Sequence, residues 1–471
     1  MTSNRRNFLK QTFVSGGLIA SGFSVTGNTF RINSFKEEKK PDSRQKFNMS
    51  GYAAPKLEKV RIGHIGLGNR GPGAVERMSH IDGAEIVALC DVLPDRIEKC
   101  QKILEGKGSP RAKAYTGSKD AWKDMCQNPD IDLIYITTPW AWHTPMAVYA
   151  MECGKHAVSE VPAAKTLDEC WQLVETAERT RKHFMMLENC CYDFFELLTL
   201  NMARQGFFGE IVHVEGAYLH DLLEGNFSKT KYTEMWRLRE NMQRNGNLYP
   251  THGLGPICQI LNINRGDRMD YLSSMSTNDF QMAKMADNLA STDEFYREFA
   301  GHKFRGNMNT THVRTVRGKT ILIQHDVTST RPYSRLHVVS GNKGIAQKYP
   351  EPGRISTSHE WMKEDEMKEI EEKYTPEIVK LIGEMARKVG GHGGMDFMMD
   401  WRLIDCLRNG LPLDQDVYDA ALWSSIAPLS EISLNNRSNS VDVPDFTRGS
   451  WKNNAPVELT LKGGGTTGIR K

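Results

Sequence analysis

Apolar residues come in short, regularly spaced runs from residue 59 onward. KVRIGHI (59–65) alternates bulky apolar residues with others and predicts a strand, and AEIVALCD (84–91) predicts a second. The segment between them can be helical. DLIYITTP (132–139), KHAVSEVP (155–162) and HFMMLENC (183–190) continue the series of strands. A helix is expected from the WAWH loop through Cys153, and another over TLDECWQLVETAERTRK. Strands alternating with helices predict a doubly wound parallel sheet, an α/β domain over residues 58–190.

The pattern changes after residue 195. FFELLTLNMARQGFFGEIVHVEGAYLH reads as a helix, a turn and a long strand. YLSSMST, THVRTV, KTILIQHDVTS and SRLHVVSG are further strands, close in sequence and joined by turns. They predict an α+β domain over residues 191–471, built on a largely antiparallel sheet. Segments 395–409 and 414–434 return to helical periodicity.

The first βαβ unit carries GLGNRG directly after its first strand. Gly66 permits the tight turn, Gly68 lets the backbone approach a pyrophosphate, and Gly71 lets the helix pack close to the strand. Asp91 ends the second strand, 20 residues after Gly71. Its carboxylate there can accept from a ribose hydroxyl and would repel a 2′-phosphate, which favours NAD over NADP. Ligands of such sheets sit at the carboxyl ends of the strands. Those ends carry Trp140 to His143, Glu160 with Val161, and Asn189, a set suited to a nicotinamide and its ribose.

The N-terminus adds a different signal. NRRNFLKQTF (4–13) places Arg5 and Arg6 before the mildly apolar TFVSGGLIASGFSV, matching a twin-arginine export signal over residues 1–30. Residues 31–57 are polar and charged and suit a linker. The expected address is outside the cytoplasm, in the periplasm, reached through the twin-arginine machinery. The 471 residues carry a net charge of only +3, which argues against nucleic acid or an anionic membrane as main partner. No apolar run is long enough for a stable membrane span. Nine cysteines lack metal-like CxxC spacing and are expected buried and reduced, Cys190 and Cys191 included.

GLGNRG, SEVP and NGNLYPTHGLGP together resemble the Gfo/Idh/MocA oxidoreductase family over most of residues 58–440. That family usually has Glu-Lys-Pro where this chain has SEVP, so Val161 stands in the place of a catalytic lysine. The substitution argues against ordinary alcohol dehydrogenation. TTPWAWH, SEVPAA, LENCCY, GAYLHD, WRLR, LYPTHGLGPI and GHGGMDF more specifically resemble glycoside hydrolase family 109. That family removes terminal α-linked N-acetylgalactosamine using bound NAD. The resemblance implies NAD contacts at Asn69, Arg70, Asp91, Trp140 to His143, Glu160, Val161 and Asn189. It implies sugar contacts at Tyr218, Arg237, Tyr249, Pro250, Thr251, His252 and Tyr333.

The implied chemistry is redox-neutral. Hydride passes from C3 of the sugar to NAD, the resulting ketone acidifies C2, the aglycone leaves by elimination, water adds, and hydride returns. A tightly held cofactor regenerated at each turnover needs no dinucleotide pool outside the cell. His252 is the expected base for the C3 hydroxyl, and Tyr249 and Tyr218 are expected to shuttle protons at C2 or the leaving oxygen. Arg237 can hydrogen-bond sugar hydroxyls or the acetamide carbonyl, and Tyr333 is read as a pocket lip. His392 and Asp396 lack a third ligand, so no metal is assigned and GGHGGMDF is read as a loop near the sugar. An exported NAD-dependent sugar oxidoreductase and a non-enzymatic sugar-binding module are the competing readings. A homo-oligomer is compatible with all three.

Overall fold

The computed structural model describes residues 44–470. The first sheet contains β1 (Val60–Ile65), β2 (Ala84–Cys90), β3 (Lys113–Tyr115), β4 (Leu133–Ile136), β5 (His156–Ser159) and β6 (Phe184–Met186). They lie in the order β3-β2-β1-β4-β5-β6, every pair parallel. Helices on both faces bury these strands, so β4, β5 and β6 are buried at every residue and read as plain apolar runs. The order reverses between β1 and β4, which opens a crevice at their carboxyl ends. Two elements go beyond the apolar pattern. Helix Pro94–Gly106 follows β2, and β3 is only three residues long with Lys113 and Ala114 exposed, so no apolar run marks it.

The second sheet is formed by β7 (Ile211–Leu219), β8 (Met269–Ser276), β9 (Asn309–Thr315), β10 (Thr320–Asp326), β11 (Ser334–Gly341), β12 (Ile345–Gln347), β13 (Arg354–Ser356) and β14 (Val441–Asp442). Its order is β13-β12-β11-β7-β10-β9-β8-β14. All pairs are antiparallel except β7 with β10, so the largely antiparallel expectation holds with one parallel pair inside it.

Two C-terminal helices return to the first sheet. Met395–Asn409 packs on helix Gly71–Ser79 and on β1, and Val417–Asn435 packs on helix Leu167–Thr180 and on β6. Val417–Asn435 is held at its start by an Asp416–Asp419 capping box. Both helices are buried nearly all round because each lies between layers, and the first carries its acidic residues inside. From residue 44 the stretch expected as linker is irregular but anchored: Lys46 N donates to Glu178 Oε2 at 3.0 Å, and Met49 is buried. All nine cysteines are free, and eight are buried. No helix among the described residues is long and apolar enough to cross a membrane. The expected export signal lies outside the described residues.

Candidate active site

The crevice begins at the glycine-rich turn. Gly66 adopts φ +88°, and a Cβ there would lie 2.9 Å from the Thr137 backbone. A Cβ on Gly71 would come within 2.4 Å of the Gly66 carbonyl oxygen, so the close helix–strand contact needs glycine. A Cβ on Gly68 would meet only the Arg96 guanidinium, at 3.3 Å, which leaves a backbone cradle facing the cleft. Helix Gly71–Ser79 starts behind it with Pro72 in its first turn, and its positive end points at the cradle. Asp91 Oδ2 accepts from Leu67 N at 2.7 Å and Oδ1 accepts from Leu93 N at 2.9 Å. Asp91 therefore holds the turn itself, while each oxygen keeps a lone pair for a ribose hydroxyl. Arg96 lies 3.6 Å from Asp91 and donates to Thr233 Oγ1 at 2.7 Å, which clasps the segment before helix Trp236–Gln243 over this end of the cleft.

A charged hub lies beside the turn. Arg70 Nε donates to Glu160 Oε1 at 2.8 Å and Nη2 to Asp396 Oδ2 at 3.1 Å. Asp396 is fully buried and also accepts from Asn189 and from His392. Burial alone would raise its pKa, but the His392 hydrogen bond and the Arg70 and Arg77 guanidiniums hold it well below the ordinary carboxylate range. GGHGGMDF, read from sequence as a loop near the sugar, lies against Arg70 and Asn189, with His392 lining the same cleft. Gly390, Gly391, Gly393 and Gly394 all take positive φ, which lets the chain double back before helix Met395–Asn409. Deeper in, Arg77 Nε meets Asp400 at 2.7 Å, and Tyr135 donates to the other Asp400 oxygen at 2.8 Å.

The residues expected to meet sugar gather farther along. Tyr218 comes from the end of β7, Arg237 from helix Trp236–Gln243, and His252 from the first turn of helix Thr251–Ile260. The Tyr218, Tyr249 and His252 rings are mutual neighbours, with centroids 4.8, 5.3 and 5.0 Å apart. Trp140 stacks on Tyr249 at 5.7 Å, which joins the nicotinamide-side loop to the sugar side. The Arg237 guanidinium sits 5.1 Å from the Tyr249 ring and 5.5 Å from Trp140, and Nη1 donates to Tyr232 OH at 3.0 Å. Burial raises the pKa of Tyr218, and raises that of Tyr249 well above its ordinary value, so both phenols keep their protons. Tyr218 OH lies 3.1 Å from His220 Nδ1, and burial pushes His220 down toward the neutral form.

Other expected residues are placed differently. Pro250 and Thr251 are buried beneath the site, because they form the start of a helix pressed onto β7. There a Cβ on Gly253 would come within 2.1 Å of Ala217 N. Their side chains shape the turn and do not reach the cleft. Tyr333 stands at the rim, edge-on to His220 at 5.0 Å. The two His143 ring nitrogens face the Pro162 and Thr138 carbonyls at 2.7 and 2.8 Å, so this ring ties two cleft loops together. Val161 is buried in the cleft wall and offers no proton.

Sequence reasoning missed Glu188, His220 and Arg96. The visible signal for Glu188 was Gly255, one helical turn after His252, where a Cβ would lie 2.8 Å from Glu188 Cγ. His252 Nδ1 is 2.7 Å from Glu188 Oε1. Glu188, Cys190 and His252 are the one group among the described residues with clustered metal-ligating atoms. Zinc ligands at about 2.0–2.1 Å stand roughly 3.3 Å apart, so the 2.7 Å contact is a hydrogen bond and not a shared ion. The glycine-rich turn, Asp91, Glu160, Asn189, Arg237, Tyr218, Tyr249 and His252 line one continuous cleft of about 580 Å³.

Comparison with known proteins matches the two halves separately. Residues 60–188 match an oxidoreductase family with an NAD-binding Rossmann fold, and residues 192–453 match a glycosyl hydrolase 109 C-terminal domain. A glycosyl hydrolase family 109 protein of Bacteroides thetaiotaomicron is 52% identical over 413 residues, covering 84% of this chain and 86% of its own. An alpha-N-acetylgalactosaminidase of Bacteroides fragilis is 52% identical over 407 residues, covering 85% of this chain and 95% of its own. Among solved structures, a levoglucosan dehydrogenase complexed with NADH and L-sorbose superposes with a TM-score of 0.61 at 15% identity, over 83% of this chain and all of its own. A scyllo-inositol dehydrogenase from Lactobacillus casei superposes with a TM-score of 0.57 at 13% identity, over 82% of this chain and 99% of its own. These last two share the fold.

Proposed function

The chain belongs to glycoside hydrolase family 109, and from that premise we propose that it removes terminal α-linked N-acetylgalactosamine by a redox-neutral, NAD-dependent route. The observation that carries the reading is the continuity of the cleft: one cavity joins the dinucleotide cradle to a cluster of proton-carrying side chains. The cradle at Gly68, the Asp91 carboxylate and the helix N-terminus behind them fit a dinucleotide, with Glu160 and Asn189 beside its redox end. NAD held there supplies a reversible hydride acceptor for the C3 carbon of the sugar.

The rest is proton chemistry. His252 takes the C3 hydroxyl proton. Arg237, oriented by its aromatic cage, holds the sugar through a hydroxyl or the acetamide carbonyl. Tyr249 has its proton to give and protonates the departing glycosidic oxygen. Tyr218 relays the C2 proton: its oxygen receives that proton as its own passes to His220, so no free phenolate forms. A net oxidoreductase would use an amine where this chain has Val161, and nothing at that position can carry a proton.

The N-terminal NRRNFLKQTF supports export by the twin-arginine route. Folding around NAD before export fits a cofactor regenerated in each cycle. A homo-oligomer is compatible with this reading and would be seen by light scattering. The decisive assay incubates purified protein, without added NAD, on a chromogenic α-N-acetylgalactosaminide. Aglycone release is expected, whereas net NADH accumulation would favour the oxidoreductase.

A further inference from the structure

The geometry assigns Glu188 as the positioning residue of His252: its carboxylate fixes Nε2 as the nitrogen that acts as base and balances the charge the ring acquires. The reaction in this statement rests on the glycosidase reading; the pairing of the two side chains does not.

Glu188 follows β6 and is completely buried. Its Oε1 accepts from Cys190 N at 3.1 Å and faces His252 Nδ1 at 2.7 Å, while Oε2 is buried with no hydrogen-bond partner. Its carbonyl oxygen accepts from Gln415 Nε2 at 3.0 Å, which fixes the backbone. Gly255 lets the first turn of helix Thr251–Ile260 close onto this carboxylate. Burial alone would push Glu188 upward, but His252 beside it, with the Thr251 hydroxyl and Cys190 N, outweighs burial and leaves it below the ordinary range, hence ionised. The other titratable neighbours are the Cys190 and Cys191 thiols and the Tyr249 phenol, all raised by burial and neutral. Within salt-bridge distance, His252 is the one group among the described residues that can balance the carboxylate.

An ionised carboxylate only accepts hydrogen bonds, so His252 Nδ1 must carry the hydrogen and Nε2 must hold the lone pair. When the C3 hydroxyl gives its proton to Nε2, the O–H bond breaks, an N–H bond forms, and the ring becomes an imidazolium. Glu188 remains ionised and faces that new charge across 2.7 Å. The same division of labour orients the imidazole of a hydrolytic triad.

Two measurements test the assignment. In parent holoenzyme labelled with ¹⁵N-histidine, long-range ¹H–¹⁵N spectra should show His252 with its hydrogen on Nδ1. A hydrogen on Nε2 alone in the neutral ring would overturn the proposal, and this result needs no variant and no substrate. In the chromogenic assay, Glu188→Gln should lower kcat by about a hundredfold to ten-thousandfold while KM stays within about twofold and NAD content is unchanged. Glu188→Asp, which keeps the charge at shorter reach, should recover part of the loss. Parent-like kcat in Glu188→Gln would sink the assignment. So would equal losses in both variants accompanied by loss of NAD and of thermal stability, since that marks a structural role. If the parent cleaves no α-N-acetylgalactosaminide, the functional reading fails while the tautomer still decides the pairing.

Discussion

The two ends of the cleft are held together by different forces. At the cofactor end, fixed charges from distant parts of the chain meet: Arg70 with Glu160 and Asp396, and Arg77 with Asp400. At the sugar end, aromatic faces surround Arg237, and the polar groups are proton carriers: His252, His220, Tyr218 and Tyr249. Paired charges inside a protein are costly to separate and keep one protonation state. Phenols and imidazoles in contact with each other can exchange protons at little cost in geometry. The first end is built to keep a ligand, the second to process one.

The division implies that substitutions at the two ends should be read out by different measurements. The largest effect is expected from His252→Ala. Removing the base should lower aglycone release by about a hundredfold to ten-thousandfold, while NAD measured after denaturing the purified protein stays stoichiometric. Loss of NAD from this variant would break the comparison. The next largest is expected from Asp91→Ala. Hydrogen bonds to a charged group are worth about 1.5–3 kcal/mol, so NAD should be held roughly ten- to a hundredfold more weakly. The turn that Asp91 fixes through Leu67 would loosen as well. Saturating NAD should restore most of the parent turnover. A variant that stays slow when fully loaded would place Asp91 in the chemistry.

The cofactor end was the more legible in sequence because its parts are contiguous. A strand, GLGNRG, a helix and a terminal Asp91 occupy about thirty residues, and each glycine has a local geometric duty. Its hub was not legible. Asp396 meets Arg70 only because helix Met395–Asn409 packs on helix Gly71–Ser79, and no local pattern states which layer a buried helix will cover. Nor does any local pattern state that C-terminal helices cover the N-terminal sheet. At the sugar end, residue types were recovered through family resemblance, but partners were not. Glu188 and His252 are joined by tertiary approach alone, and Thr251, adjacent in sequence to the base, is buried away from the cleft.

A smaller effect tests whether the sugar end does elimination. A glycosidase working with two carboxylates never breaks the bond between C2 and its hydrogen. Turnover in heavy water should place deuterium at C2 of the released sugar, through a Tyr218–His220 pair able to exchange with solvent. Substrate deuterated at C3 should react severalfold more slowly where hydride transfer limits the rate. It should keep its label, because that hydrogen leaves and returns to the same carbon within one turnover. Efficient cleavage with neither C2 exchange nor a C3 isotope effect would remove elimination from the account.

The smallest expected effect is a retention that does not change. The folded pKa of Asp396 is depressed, so the stability it lends the cofactor end is fully present above the ordinary carboxylate value of the unfolded chain, near 4. It is lost only as pH falls through the depressed folded value. Between about pH 7.5 and 5 Asp396 therefore keeps its charge, and NAD should stay bound. Aliquots of one preparation, desalted at each pH, should show constant NAD content. Brought back to neutral pH, every aliquot should be active without added cofactor, because nothing has left the cleft. If NAD is lost over this range, its retention does not rest on the Asp396 charge, and the separation drawn from the forces at the two ends fails.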